Sequence, residues 1–203
     1  MRPHLQRMPA SFQPGFFDAG PQVLFEDAEG GVRYVPGVVP VALAERWFEE
    51  VRDTVAWSTV RRPMYDRIVD VPRLLASYRL EDPALPRPLG EIADHVRRAT
   101  GEPFNAVGLN WYRDGRDSVA PHGDKLHMIT PGHPIAVLSL GAPRRMVIRE
   151  KQPPRRAVHV DLAPGSVLLM SHAAQLTHEH GIPKVRDPVG PRISLAFRVR
   201  PAR

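Results

Sequence analysis

The second half of the chain consists of short apolar segments separated by prolines and glycines, and this pattern restricts the fold more than any other feature. Each segment is long enough for one strand and is bounded by residues that favour turns. The pattern predicts strands over Phe104–Tyr112, Ile135–Leu140, Arg145–Arg149, Ala157–Leu162, Ser166–Met170 and Arg192–Val199. Many short strands in succession are typical of a barrel or sandwich.

The first half of the chain contains two stretches with the apolar spacing of amphipathic helices. Between Val41 and Trp57 an apolar residue recurs every four positions, with charged residues in between. A second stretch runs from Pro88 to Thr100 and is followed by Gly101, a residue type that commonly ends helices. Two helices followed by a run of strands predict an α+β fold, a jelly-roll barrel (double-stranded β-helix) with two supporting N-terminal helices. The residues expected to face the core are Leu43, Trp47, Val51, Val55, Leu89, Ile92, Ala93 and Val96.

Length and composition indicate a single domain. The chain has 203 residues, of which 42% are apolar and 25% are charged, and this suffices for one core. Residues 1–20 contain prolines and glycines without helical or strand periodicity, so we expect a flexible tail followed by a domain over 21–203. The chain shows neither a secretory signal nor an apolar run that would cross a membrane, and we expect a cytoplasmic monomer.

The charged and metal-binding residues narrow the chemistry. Because cysteine is absent, histidine and the carboxylates are the strong metal ligands available. Lysine and arginine outnumber aspartate and glutamate by 28 to 22, which gives a net charge of +6. Arginine suits bidentate contact with phosphate, so this charge favours a polyanionic partner such as nucleic acid, with solubility alone as the alternative. Several arginines are adjacent pairs, namely Arg61-Arg62, Arg97-Arg98, Arg144-Arg145 and Arg155-Arg156.

Two His-x-Asp pairs, His122/Asp124 and His159/Asp161, are candidates for a metal site. This spacing places both side chains on one face of a strand, where they can converge on one ion. The third ligand of a barrel site comes from a distant strand, and only the pair at His122 leaves room for several strands before the last histidines of the chain. His159 and Asp161 instead alternate with apolar residues, as on a strand with one solvent-facing side.

The third ligand is one of three histidines. His172, His178 and His180 all follow at a suitable distance, and His178 and His180 would share one face of a strand. Spacing alone therefore leaves the choice open. A set of two imidazoles and one carboxylate with open coordination positions is typical of non-haem Fe(II) oxygenases.

Six motifs in the second half of the chain together indicate a known enzyme family. The motifs are Asn110-Trp111-Tyr112-Arg113-Asp114-Gly115, His122-Gly123-Asp124, Ser139-Leu140-Gly141, Gly165-Ser166-Val167-Leu168-Leu169-Met170, His180-Gly181-Ile182-Pro183 and Pro191-Arg192-Ile193-Ser194-Leu195-Ala196-Phe197-Arg198. They span about residues 104–200 and resemble, in the same order, the motifs of the AlkB family of Fe(II)- and 2-oxoglutarate-dependent dioxygenases, which repair alkylated nucleobases. Residues 71–78 are similar to the segment that precedes the barrel in the bacterial and human DNA-repair members of that family.

The resemblance implies roles for individual residues. His122, Asp124 and His180 would bind the iron, which makes His178 a neighbour of the pocket or a solvated histidine. Arg192 would bind the distal carboxylate of 2-oxoglutarate, and O₂ would complete the reactants. The even spacing of Arg192, Ser194 and Arg198 places them on one face of the last strand, opposite an apolar face. Residues expected to complete the cosubstrate pocket are Asn110, Tyr112, Ser194 and Arg198.

The resemblance also implies a substrate and a reaction. We expect oxidative removal of N-methyl groups from bases of DNA or RNA, with release of formaldehyde, succinate and CO₂. Such an enzyme acts on single strands or flips the target base out of the duplex. A nucleotide-recognition segment is predicted over about residues 58–82, where arginines would bind phosphates and aromatic rings would stack on bases. The predicted substrate-binding residues are Tyr65, Arg73, Tyr78 and Lys125.

The chain departs from the family pattern at its substrate side. Many members follow the His-x-Asp motif with acidic residues that read the exocyclic nitrogen of the damaged base, whereas Lys125 and Leu126 stand here. Ser194 and Ala196 replace the usual asparagine and threonine, and His178 replaces a frequent aromatic residue. These departures leave two alternatives open, a 2-oxoglutarate oxygenase acting on a protein or small molecule, and a non-catalytic nucleic-acid-binding relative.

A short segment of the tail suggests a further partner. Residues 13–17, Gln13-Pro14-Gly15-Phe16-Phe17, resemble the glutamine-plus-aromatic peptide with which bacterial repair and replication proteins bind the sliding clamp. An apolar anchor that packs on the domain is the alternative interpretation. Deletion of the tail, followed by a pull-down with the clamp, distinguishes the two.

Overall fold

A computed structural model describes residues 20–64 and 67–202, with only the backbone described for 62–64 and 67–70. Thirteen strands and three α-helices are present in these residues. The helices are α1 (Val41–Thr54), α2 (Arg87–Thr100) and α3 (Ala174–Thr177). The strands are β1 (Gln22–Phe25), β2 (Val32–Val35), β3 (Arg61–Met64), β4 (Arg67–Asp70), β5 (Leu74–Arg79), β6 (Ala106–Tyr112), β7 (Val119–His122), β8 (Ile135–Gly141), β9 (Arg144–Glu150), β10 (Ala157–Leu162), β11 (Val167–Met170), β12 (His178–Ile182) and β13 (Arg192–Arg198).

Two antiparallel sheets form the barrel. The larger has seven strands in the order β1-β2-β11-β8-β13-β6-β5, and the smaller has four in the order β10-β9-β12-β7. The hairpin of β3 and β4 forms a separate two-stranded sheet. Strands that are distant in sequence are neighbours in both sheets, as in a jelly roll. The α+β jelly-roll prediction is confirmed.

The larger sheet separates two apolar cores. On its outer face, alternate residues of β6, β8 and β13 pack against the two long helices, which contribute Trp47, Val51, Leu89 and Ile92. On its inner face, Ala196 and Tyr112 pack in a second core that includes Ile148 and Ile182 of the smaller sheet. The space between the sheets is the barrel interior, and the polar residues of the inner face point into it.

Both predicted helices are present, and each ends close to the predicted residue. Gly101 ends α2 in the left-handed conformation, with φ +75°. The helix α1 ends at Thr54, three residues before the predicted end, and Val55 is already extended. None of the described helices is long and apolar enough to cross a membrane.

The order of elements differs from the prediction in the first half of the chain. The structure places β1 and β2 before α1, and β3, β4 and β5 between α1 and α2, so that the helices are interspersed with strands. Strands β1, β2 and β5 are short and contain many exposed or half-exposed residues, and they form because they pair within the larger sheet. Such pairing is set by tertiary contacts and leaves a weak local signal.

Candidate active site

The His-x-Asp motif and His180 meet at one end of the smaller sheet. Strand β7 ends at His122, and in the pairing of β7 with β12 His122 lies opposite His180. The two rings are 4.6 Å apart between centroids. Ligand atoms of His122, Asp124 and His180 all lie within 4.8 Å of one another, which is close enough for one ion.

The hydrogen bonding of His122 and the protonation of His180 and Asp124 suit a divalent metal. The Nδ1 of His122 lies 3.0 Å from the carbonyl oxygen of Ala120, an acceptor, which leaves Nε2 free to bind a metal. Burial, aided by His122, lowers the pKa of His180 to about 4, so its imidazole is neutral at neutral pH. Burial alone would raise the pKa of Asp124, but the charge of Arg198 and the neighbouring histidines outweigh it, and the pKa lies below its usual value. The neutral imidazole of His180, the free Nε2 of His122 and the ionised carboxylate of Asp124 fit Fe(II).

Asp124 is held from two sides. Arg198 donates Nε and Nη2 to Oδ2 of Asp124, at 2.8 and 2.6 Å. The backbone N–H of Asp124 donates to Oε1 of Gln175, at 3.1 Å. These contacts orient the carboxylate toward the two histidines. Because strand residues rise by about 3.3 Å, the backbone of Arg198 lies roughly 20 Å along β13 from that of Arg192. The carboxylate that Arg198 binds is that of the iron ligand Asp124, and its predicted place in the cosubstrate pocket stays a prediction.

Gly123 lies where a side chain would collide with the support of this turn. A Cβ at Gly123 would lie 3.0 Å from Nζ of Lys151 and 3.1 Å from the carbonyl oxygen of Gln175. Lys151 donates Nζ to that same carbonyl, at 2.6 Å. The glycine of the His-Gly-Asp motif thus lets Lys151 and Gln175 approach the turn that carries two metal ligands.

Arg192 is the most buried charge of the site. Its side chain has no exposed surface, and it donates one hydrogen bond, from Nη2 to Oγ of Ser139 at 2.9 Å. Its Nε and Nη1 have no partner among the described residues. Burial lowers the pKa of Arg192 to about 10, which leaves it protonated at neutral pH. A buried guanidinium with unpartnered donors is suited to the carboxylate of a small acid.

The other predicted pocket residues lie on the same inner face. Tyr112 is buried and lies directly opposite Arg192 in the pairing of β6 with β13, and the Arg192 guanidinium lies 5.3 Å from the centre of its ring. Asn110 lies opposite Ser194, with Nδ2 and Oγ 3.5 Å apart. The structure therefore brings Asn110, Tyr112, Ser194 and Arg192 together.

The predicted substrate-binding residues are dispersed. Arg73 donates Nε to Oδ1 of Asn110 at 2.7 Å and Nη1 to the carbonyl oxygen of Ser118 at 3.1 Å, so it connects the segment before β5 with the cosubstrate pocket. Lys125 is exposed and directly follows Asp124. Tyr65 lies outside the described residues.

Tyr78 does not reach the metal triad. Its ring packs with the core between the larger sheet and the helices, and its hydroxyl accepts a hydrogen bond from the backbone N–H of Ala56, at 3.2 Å. The sheet lies between this ring and the barrel interior. Tyr78 therefore lies on the helix side of the sheet, and its predicted role in substrate binding stays a prediction.

The remaining histidine candidates lie outside the triad. Asp161 is exposed and binds Arg145 on the neighbouring strand, while His159 is exposed beside it, as predicted for a solvent-facing strand. His178 stacks on Phe25, with ring centroids 4.1 Å apart, and lies at the edge of the barrel. The prediction that His178 is not a ligand agrees with its absence from the triad.

Sequence reasoning missed four residues that support the site. Ser139 was noted only as part of a motif, and Arg144 only as part of an arginine pair. Gln175 and Lys151 carried no signal, because their role depends on a contact between segments that are distant in sequence. The missed residues are Ser139, Arg144, Lys151 and Gln175.

Comparison with known proteins agrees with the geometry. The family model described as 2OG-Fe(II) oxygenase superfamily matches residues 31–198. The human protein named DNA oxidative demethylase ALKBH2 is 34% identical over 208 residues, which cover 91% of this chain and 79% of that protein. The human alpha-ketoglutarate-dependent dioxygenase alkB homolog 3 is 31% identical over 183 residues, which cover 80% of this chain and 64% of that protein.

A solved structure shows the same fold. The structure of OsALKBH1 superposes with a TM-score of 0.55 at 16% sequence identity, covering 83% of this chain and 97% of that chain. At this identity the likeness concerns the fold alone. The family match and the more similar relatives settle the classification: the chain belongs to the 2OG-Fe(II) oxygenase superfamily and, within it, to the AlkB family.

Proposed function

We propose that the protein oxidatively demethylates N-alkylated bases in nucleic acid. As a 2OG-Fe(II) oxygenase it uses Fe(II), 2-oxoglutarate and O₂. The observation that carries the proposal is the His122, Asp124 and His180 triad in the same barrel interior as the buried, incompletely bonded Arg192. Relatives that cover most of the chain include proteins named as DNA oxidative demethylases.

The residues of the chain bind and position the reactants. His122, Asp124 and His180 would hold Fe(II), with Arg198 keeping Asp124 ionised and oriented. Arg192 would bind the distal carboxylate of 2-oxoglutarate, and its burial excludes water that would compete for the guanidinium. When bound, the iron with O₂ and 2-oxoglutarate supplies the oxidation, in which one oxygen atom enters succinate as CO₂ leaves and the other hydroxylates the methyl group. The N-hydroxymethyl group then leaves as formaldehyde and restores the base.

The substrate side of the proposal concerns the segment over residues 58–82. Within this segment, β3 and β4 form their own two-stranded sheet. A target base must leave a duplex to reach the barrel interior. We assign this segment to nucleic-acid contact, with Arg73 and Lys125 near the site. Arg73 supports the assignment because it joins the segment to Asn110.

The proposal is tested with methylated oligonucleotides. Purified protein with Fe(II), ascorbate and 2-oxoglutarate is expected to release formaldehyde from single strands that carry 1-methyladenine or 3-methylcytosine. His122→Ala and Arg192→Met are expected to abolish the release, and His159→Ala serves as a matched control from the exposed His-x-Asp pair. Succinate formation without formaldehyde from any oligonucleotide would favour a protein or small-molecule substrate. That alternative is motivated by Lys125 and Leu126, which stand where many family members have acidic residues. Metal binding without succinate formation would favour the non-catalytic alternative.

Two finer proposals concern partners. We propose a monomer, which light scattering of the purified protein tests. The sliding-clamp segment Gln13 to Phe17 lies outside the described residues, and its support is the sequence pattern alone. Retention of the protein on immobilised clamp after deletion of residues 1–19 would contradict the clamp proposal.

A further inference from the structure

Arg144, the first residue of β9, is a second buried arginine beside the cosubstrate pocket. Its side chain is almost completely buried. It donates Nη1 to the carbonyl oxygen of Asp114 at 3.0 Å, and Nη2 to the carbonyl oxygens of Asp117 at 2.9 Å and Pro183 at 2.8 Å. No carboxylate pairs with it among the described residues, and its Nε has no partner there. Burying a charge without a paired counter-charge costs desolvation free energy, so a functional role for Arg144 would explain why it is buried here.

The three carbonyls belong to loops that flank the two strands carrying the iron-binding histidines. Asp114 and Asp117 lie in the loop between β6, which ends at Tyr112, and β7, which ends at His122. Pro183 directly follows β12, which carries His180. One guanidinium therefore holds the beginning of one ligand-bearing strand and the end of the other.

These two connections are also bonded to each other. The N–H of Val185 donates to the carbonyl oxygen of Gly115, at 2.9 Å. A Cβ at Gly115 would lie 2.7 Å from Cγ2 and 2.8 Å from the carbonyl oxygen of Val185, so a side chain there would separate the two loops. Arg144 secures an assembly that is already close-packed.

Arg144 also contacts Tyr112, which lies opposite Arg192. The Cζ of Arg144 is 5.6 Å from the centre of the Tyr112 ring, and the Cζ of Arg192 is 5.3 Å from it. Both distances are within the range of cation–π attraction. Contacts from two guanidiniums restrict the Tyr112 ring beside Arg192.

We propose that Arg144 is a positioning residue for 2-oxoglutarate, which acts by fixing Tyr112 and the loops that flank it beside Arg192. The proposal rests on the assignment of Arg192 to the cosubstrate carboxylate, and it does not depend on which substrate is oxidised. A purely structural role is the competing explanation. It predicts a loss of folded protein without a change in cosubstrate affinity.

The test measures the kinetics of 2-oxoglutarate in turnover without prime substrate. Arg144→Met is expected to raise KM for 2-oxoglutarate about tenfold and to leave kcat within about twofold, because positioning affects binding of the cosubstrate. Arg144→Lys, which keeps donors for the carbonyls but lacks the planar guanidinium, is expected to give a smaller increase of about threefold. Arg145→Met, on the neighbouring exposed residue that binds Asp161, is the matched control and is expected to match the wild type.

A double-mutant cycle with Tyr112→Phe tests the route of the effect. If Arg144 acts through Tyr112, the increases in KM of Arg144→Met and Tyr112→Phe combine to less than their product. The proposal would be overturned if the double variant raised KM by the full product of the two single increases. It would also be overturned if Arg144→Met left KM unchanged and lowered the unfolding temperature. If Arg144→Met does not fold, a wild-type KM in Arg144→Lys overturns it. Because the assay contains no nucleic acid, its outcome is independent of the demethylase proposal.

Discussion

At the scale of single residues, three arginines of the barrel differ in the acceptors that their guanidinium groups bind. Arg198 binds the carboxylate of Asp124, and Arg144 binds backbone carbonyls. Arg192 has one hydroxyl partner and two unpartnered nitrogens. A buried donor without an acceptor costs free energy in the folded protein, and an arriving carboxylate removes that cost. Arg192, which we assign to the cosubstrate, is thus the one of the three arginines with the most unpartnered donors.

This arrangement predicts that stability and function oppose each other at Arg192. Arg192→Met, which fills a similar volume without a charge, is expected to leave the unfolding temperature of the metal-free protein unchanged or to raise it by about 3 °C, the effect of roughly 1 kcal/mol in a domain of this size. The same variant is expected to lose 2-oxoglutarate turnover. Calorimetry and a succinate assay measure the two effects. A large fall in the unfolding temperature would show that the guanidinium is fully satisfied without ligand.

Gly123 gives a second prediction at this scale. Gly123→Ala introduces a Cβ at 3.0 and 3.1 Å from Lys151 and Gln175, closer than ordinary contacts, so the turn between His122 and Asp124 has to shift. We expect Fe(II), or Mn(II) as a probe, to bind about tenfold more weakly, while the protein still folds. A tenfold loss of metal affinity is at the lower end of what substitutions of ligand-supporting residues cause. Titration calorimetry with Mn(II) measures this. Gly20→Ala, where no atom lies within 4 Å of the added Cβ, is the control.

At the scale of elements, the pairing of β7 with β12 brings the triad together, and β13 carries Arg192, which we assign to the cosubstrate. His122, His180 and Arg192 lie on strands, which hold side chains more rigidly than loops do, whereas Asp124 lies in the turn after β7. The segment assigned to the substrate is different. The β3–β4 hairpin pairs with neither large sheet in the described part of the chain.

We therefore expect that the β3–β4 hairpin can be removed without loss of 2-oxoglutarate turnover. The N–H of Val71 donates to the carbonyl oxygen of Val60 at 2.8 Å, so these residues face each other across the base of the hairpin. Replacement of residues 61–70 by Asn-Gly would close this base with a two-residue turn. We expect 2-oxoglutarate turnover without substrate to stay within about twofold, because the barrel is untouched, and formaldehyde release from oligonucleotides to fall at least about tenfold. Equal losses in both assays would contradict a substrate role of the hairpin.

At the scale of the whole molecule, the net charge of +6 acts over longer distances than any single contact. A basic protein gains affinity for nucleic acid through release of counterions from phosphates. Many arginines are engaged in pairs, such as Arg145 with Asp161 and Arg149 with Glu179, so the excess charge comes from other residues. The charge favours association with nucleic acid but does not select a lesion.

Salt dependence checks this contribution. Raising NaCl from ~50 to ~200 mM is expected to weaken binding of a methylated oligonucleotide by about tenfold or more, in a linear relation between the logarithms of affinity and salt concentration. Turnover of 2-oxoglutarate without nucleic acid is expected to change by less than about twofold, because Arg192 and His180 are shielded from solvent. Fluorescence anisotropy and succinate formation measure the two quantities. Oligonucleotide affinity that is independent of salt would argue against a polyanionic substrate.

The sequence by itself determined the strands and helices with strong periodicity, together with the chemistry of the site. Alternation along β13 assigned Arg192 and Ser194 to one face and Ile193 and Leu195 to the other, because neighbouring residues of a strand point to opposite sides whatever the partner strands are. The choice of His122 over His159 also followed from the sequence, since it depends only on the length of chain needed to cross the barrel. The ordered motifs then indicated the family.

Only the tertiary structure decided which side chains share an environment when they are distant in the chain. It placed Tyr78 on the helix side of the sheet, bonded Arg73 to Asn110, and brought Gln175 to the backbone of Asp124. It also paired β1, β2 and β5 with the larger sheet and gave Arg144 its three carbonyl partners. These contacts join residues that are distant in the chain, and the local sequence around one residue carries no information about the other. Packing decides which of the possible contacts form, because it depends on distance in space and not on distance along the chain.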